Sequence, residues 1–132
     1  MEIKAVFFDI DGTLVNDSRA VLKSTEKAIQ SLKEEGIYVG LATGRGPAFV
    51  QPFMERYGFD FAVTFNGQYI FTQDRVLFTS PIDKKSLHQL IDYAHEHRKE
   101  IALGTKDGVF GSRIMSFGMS PISIWSSRFV LN

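Results

Sequence analysis

The sequence predicts an α/β fold, a doubly wound parallel sheet followed by part of a smaller α+β module. Three observations carry this. Short apolar runs at residues 3–8, 37–42 and 61–65 alternate with two stretches of helical periodicity. Each run ends in a polar turn that contains glycine. After Asn66-Gly67 the pattern changes to two strand-like runs, a helix and two more strand-like runs.

Residues 3–8 are β-branched or aromatic apart from Lys4 and Ala5, and they read as a strand buried on both faces. Ser24 is the expected N-cap of the first helix, with Ala28, Ile29 and Leu32 on its apolar face and Gly36 as its stop. Residues 37–42 form a second buried strand. Pro47 suits the first turn of a second helix, whose apolar stripe is Phe49, Val50, Phe53, Met54 and Tyr57. Pro52 interrupts that stripe and removes a backbone donor, so a kink or restart is expected there. Residues 61–65 form the third strand, and this alternation implies right-handed crossovers and parallel pairing. Residues 68–72 and 75–79 then read as a hairpin joined across Gln73-Asp74. Asp83 is the expected N-cap of a third helix that turns Leu87, Leu90, Ile91 and Ala94 inward. Residues 101–105 and the run from Val109 read as strands on either side of Lys106-Asp107-Gly108. Two units are expected, residues 1–80 and residues 81–132.

Fifteen basic residues balance fifteen acidic ones, with both signs interspersed through most of the chain. A nucleic-acid surface needs a concentrated positive field, so no nucleic-acid partner is expected. The absence of cysteine excludes disulfides and thiolate metal sites. No apolar stretch approaches the length of a membrane span, so no membrane association is expected. The first residues do not have the pattern of a signal peptide, and a cytoplasmic location is the default expectation.

In open parallel sheets, ligands bind beyond the carboxyl ends of the strands. The three strands here end in Asp9-Ile10-Asp11-Gly12-Thr13, Thr43-Gly44-Arg45-Gly46 and Asn66-Gly67, so parallel pairing brings all three turns to one edge. Asp9 can face a ligand there as a nucleophile, while Asp11 serves as general acid and then base. A carboxylate that attacks phosphorus needs a hard divalent cation nearby, and Mg²⁺ with oxygen ligands fits. Gly12 lets the backbone approach phosphate oxygens, and the hydroxyl and N–H groups of Thr43 and Gly44 suit the same task. A calcium loop starting at Asp9 would put Leu14 where glycine is required and Ala20 where glutamate is required. Gly44-Arg45-Gly46 as a dinucleotide fingerprint fails at Phe49, which holds the third glycine position. His88, His95 and His97 share one predicted helix, but His95 and His97 are spaced to face different ways, so no shared metal is expected.

Asp9-x-Asp11-Gly12-Thr13 behind a strand, with Leu41-Ala42-Thr43-Gly44-Arg45 behind the next, resembles the haloacid dehalogenase superfamily of phosphatases. The Asn66-Gly67 turn and the hairpin after it are similar to its Cof-type, large-capped sugar-phosphatase branch. The resemblance implies a partial Rossmann-like core with an incomplete α+β cap. It implies a phosphatase acting on a small phosphorylated metabolite through an aspartyl phosphate on Asp9, with Asp11 as acid and base. It places Mg²⁺ on the Asp9 carboxylate and the Asp11 carbonyl. Thr43 and Gly44 then hold the phosphoryl group, with Arg45 and Asn66 near the substrate entrance.

Family members also carry a later lysine and a Gly-Asp turn, whereas this sequence has no Gly-Asp pair and no lysine after Lys106. Residues 112–132 lack acids, are rich in serine, and include Phe117, Trp125 and Phe129. The expectation is a truncated chain with little turnover and with apolar surface that favours self-association. A phosphotransferase and a non-catalytic phosphate- or metal-binding module are the alternatives.

Overall fold

The computed structural model of the protein describes residues 3–16 and 20–112. The tail residues Phe117, Trp125 and Phe129 lie outside the described residues. The chain divides into two compact units, one running to Pro81 and including Lys106–Gly108, the other made of Ile82–Thr105 and the run from Val109.

In the first unit the order is β1 (Ala5–Phe8), α1 (Lys23–Glu34), β2 (Tyr38–Ala42), α2 (Pro47–Tyr57) and β3 (Phe61–Thr64). These three strands pair in parallel, β1 with β2 and β2 with β3. A short 3₁₀ turn (Phe65–Gly67) reverses the chain into β4 (Tyr69–Thr72), which pairs antiparallel with β3, and β5 (Val76–Thr79) closes the hairpin. The sheet order is β1-β2-β3-β4-β5. The fold is therefore the predicted α/β arrangement. Val39 and Leu41 of β2, Ile29 of α1, Val50 and Met54 of α2, and Phe59 are at most 2% exposed and form the centre of the core.

Several local expectations are corrected. β1 is not buried on both faces: Ala5 and Phe7 point outward, and Phe7 is 54% exposed. Among the described residues β1 pairs only with β2, and the ring of Phe61 covers just one side of Phe7, edge to face at 5.0 Å. The N-cap of α1 is Leu22, without a side-chain bond, and Ser24 sits within the first turn. Ala28 is exposed, so the helix is anchored through Ile29 and Leu32. α2 passes Pro52 without a restart. Pro52 and Ala48, whose carbonyl the missing N–H would have reached, both lie on the exposed side, where water can donate to that carbonyl. Phe49 leaves the apolar stripe and is 58% exposed.

A polar clamp ties the helical layer to the strands. Lys33 Nζ of α1 donates to the Gly58 carbonyl and to Asp60 Oδ1 at 3.1 Å. The other oxygen of Asp60 accepts the backbone N–H of Val39 at 2.8 Å. Gly40 lies directly beneath the ring of Phe61, where a methyl group would stand 2.1 Å from a ring carbon. No residue but glycine fits there without moving the ring.

In the second unit, Asp83 caps α3 (Lys84–Glu96) as predicted, its Oδ1 accepting the Ser86 N–H at 3.0 Å. Ala94 is buried and Leu87 and Ile91 are half-buried, but Leu90 is exposed, contrary to the predicted inward stripe. β6 (Ile101–Thr105) and β7 (Gly108–Ser112) form a two-stranded sheet.

Removing the clamp should be costly, because it leaves the β2 N–H without its acceptor. Asp60→Ala is expected to lower stability by about 1–3 kcal/mol. Urea unfolding checks this, and a loss under about 0.5 kcal/mol would show that water replaces the carboxylate at no cost.

Candidate active site

The first turn is built by its apolar residues. Beyond β1 the chain winds tightly, with the Leu14 N–H donating to the Asp9 carbonyl and that of Val15 to Ile10, both at 3.1 Å. Ile10, Leu14 and Val15 are buried, and this fixes the turn from beneath. Asp9, Asp11, Gly12 and Thr13 are thereby turned to solvent. Gly12 has φ +77°, a left-handed backbone that favours glycine. Asp9 Oδ1 accepts the N–H of Ile10 at 2.8 Å, which orients the carboxylate.

The parallel register pairs Phe8 with Leu41 and Ala42 with Val63, so Asp9, Thr43 and Thr64 follow at the same edge. Thr43 is 7% exposed and bonded on every side. Its N–H donates to the Val63 carbonyl at 2.9 Å, its Oγ1 accepts the Arg45 N–H at 3.1 Å, and its carbonyl accepts the Asn66 N–H at 3.2 Å. Gly46 then opens α2, and Pro47 takes the first helical position. The helix N-terminus therefore lies directly behind this turn, where its dipole favours an anion.

Arg45 joins the two turns. Its Nε and Nη2 donate to the two oxygens of Asp11 at 2.8 and 2.5 Å, a bidentate ion pair spanning 34 residues of sequence. The hydrogen bond to Asp11 raises the Arg45 pKa above its ordinary value, against a smaller opposing effect of burial. The guanidinium also lies 5.5 Å from the centre of the exposed Phe49 ring, a cation–π contact.

The third turn reaches the second through Phe65 and Asn66. The Phe65 N–H donates to the Arg45 carbonyl at 3.1 Å. Its ring packs over Gly46, where a methyl group would be 2.6 Å from a ring carbon. Asn66 packs over Gly44, with Oδ1 3.1 Å from where a methyl group would stand. The predicted residues thus come together: Asp11 with Arg45, and Thr43 and Gly44 with Asn66. Phe65 and the ring of Phe49 also belong to this edge, and no local sequence pattern marks them. Only the glycine at position 46 hinted at a close neighbour.

Asp9 and Asp11 supply the carboxylates of the first turn, and no cluster of three or more His, Cys, Asp or Glu occurs among the described residues. Two carboxylates suit Mg²⁺, which takes one or two from a protein and completes its shell with water and phosphate oxygens. His97, the C-cap of α3, places Nδ1 3.0 Å from the Tyr93 carbonyl oxygen, and the two rings stack at 4.0 Å.

Paired acids beyond one strand and a Thr-Gly turn beyond its parallel neighbour define the class of α/β protein. The chain belongs to the haloacid dehalogenase-like hydrolases, whose family model matches residues 6–127. YkrA of Bacillus subtilis is 30% identical over 107 residues, covering 81% of this chain and 42% of YkrA. A crystal structure of a hypothetical protein from Geobacillus kaustophilus superimposes with a TM-score of 0.80 at 33% identity, over 86% of this chain and 44% of the other. The sugar phosphatase BT4131 superimposes with a TM-score of 0.69 at 27% identity, over 82% of this chain and 43% of that protein. The chain thus spans less than half the length of these relatives.

Thr43→Val preserves shape but leaves the Arg45 N–H without its acceptor. It is expected to lower stability by about 1–2 kcal/mol in thermal or urea unfolding. No change would mean that the turn re-forms without the hydroxyl.

Proposed function

We propose that this chain carries the nucleophile, acid/base and phosphate-holding part of a Mg²⁺-dependent phosphatase for small phosphomonoesters, sugar phosphates among them. The observation that carries the reading is the Arg45–Asp11 pair, which ties the acidic turn to the Thr43-Gly44 turn on one sheet edge. Support comes from membership of the hydrolase family and from the likeness to a sugar phosphatase.

In this reading an Asp9 oxygen attacks phosphorus and the bond from phosphorus to the ester oxygen breaks. The leaving oxygen takes a proton from Asp11. Water then attacks the aspartyl phosphate and gives its proton to Asp11, and the bond between Asp9 and phosphorus breaks to release phosphate. A carboxylate paired with arginine is a poor acid, so the Arg45–Asp11 contact belongs to the resting site. A phosphate ester offers the guanidinium another bidentate partner. Thr43, Gly44 and Gly12 hold the phosphoryl oxygens. Asp9 and Asp11 would hold Mg²⁺, which when bound offsets the charge on the phosphoryl group.

Phosphoryl transfer depends mainly on positioning and charge stabilisation. The hydrogen bonds and ion pair between the three turns serve the positioning part of that task. The absence of a larger acidic cluster among the described residues favours one second reading, a module that binds phosphate without turning it over. The substrate partner in either case is a phosphorylated metabolite.

Phosphate release from a panel of esters in the presence of Mg²⁺ tests the assignment. Asp9→Asn should reduce it on the order of 10³-fold or more, as loss of a covalent nucleophile does. Activity that survives this substitution would rule out Asp9 as nucleophile. Calorimetric binding of phosphate without release from any ester would favour the binding module.

A further inference from the structure

Three consecutive residues, Phe65, Asn66 and Gly67, hold left-handed backbone, with φ of +50°, +55° and +97°. Glycine adopts this freely and asparagine tolerates it, but phenylalanine does so rarely. Strain of this kind persists where the surroundings enforce it, and here they do. The N–H groups of Phe65 and Asn66 donate to the carbonyls of Arg45 and Thr43, and the Phe65 ring is seated on Gly46. The outcome is an exposed carboxamide held over the bare Cα of Gly44, with Oδ1 and Nδ2 3.1 and 3.6 Å from where a methyl group would be. Among the described residues that carboxamide has no hydrogen-bond partner. A structural asparagine in this conformation would ordinarily bond its side chain to nearby backbone. This one is kept clear of such bonds and aimed along the phosphate turn.

We propose that Asn66 is a direct anion contact, its Nδ2 donating to the phosphoryl group seated at Thr43 and Gly44, and that the left-handed Phe65–Asn66 pair exists to hold it there. The inference rests on the phosphate-site reading above and assigns that site a donor from β3's turn. Phosphate affinity is then coupled to the backbone conformation at residues 65–67.

The test is calorimetric binding of inorganic phosphate, with Mg²⁺ present, to the full chain and three variants. Asn66→Gly keeps the left-handed backbone and removes the donor, so affinity should fall about tenfold or more, as loss of a bond to a charged group does, while the thermal midpoint stays within a few degrees. Asn66→Asp keeps size and backbone preference but turns the donor into a negative acceptor, so its affinity should fall further, about 100-fold. Asn66→Ala should lose both affinity and thermal stability. Wild-type affinity in either the Gly or the Asp variant overturns the assignment and leaves residue 66 a purely backbone role. If the Gly variant does not fold, the Asp variant decides alone. No phosphate binding by the unsubstituted chain overturns the phosphate-site reading, and this inference falls with it.

Discussion

The parallel alignment of β1, β2 and β3 is the constraint on which the candidate site depends. None of the three turns beyond these strands could assemble a phosphate site alone. Hydrogen bonding in one direction across three strands delivers them to a common edge, and the chain returns each time through a helix on the sheet face. Position along the edge then follows from register: Phe8 opposite Leu41 sets Asp9 beside the approach to Thr43. Side-chain chemistry is added to a backbone arrangement that already exists.

The edge is further cross-linked by contacts between turns, and these have a conformational cost. A phenylalanine in left-handed backbone costs roughly 1–2 kcal/mol. The two N–H bonds to the Thr43 and Arg45 carbonyls, each worth about 1 kcal/mol net, are of the size needed to offset it. The glycines at 44 and 46 make the approach possible, since a methyl group at either position would crowd Asn66 or Phe65. Stability and site geometry are thus coupled in one small region, and Arg45 belongs to it twice, through its carbonyl and its guanidinium.

Much of this was legible in the sequence because the strand and helix periodicities were strong and punctuated by turns. The α/β class, the parallel order, the hairpin after Asn66-Gly67 and the Asp83 cap all follow from local pattern. Burial was read less well. An apolar run does not say how many neighbours a strand has, so Phe7 was assigned to an interior it does not reach. Phe49 and Leu90 lie on helical stripes whose outer edges face solvent, and Pro52 lies on the exposed side of its helix, where water can serve the Ala48 carbonyl. In the site, residue types announced the acids, the Thr-Gly turn and Asn66. The Asp11–Arg45 pairing and the seating of Phe65 on Gly46 depend on tertiary distances between different turns, and no local pattern encodes them.

The clamp at Asp60 has a consequence for alignment as well as for energy. Its carboxylate marks one N–H of β2, that of Val39, and the ring of Phe61 marks one Cα, that of Gly40. Together they act as two adjacent pins. If β2 slid by one residue, it would offer the wrong amide to the carboxylate and drive a side chain into the aromatic ring. The same slip would shift Thr43 one place along the edge relative to Asp9, so a site-disabling misalignment is also the one that the core penalises most directly. Two residues far from any phosphate thus proofread the spacing of those that would bind it.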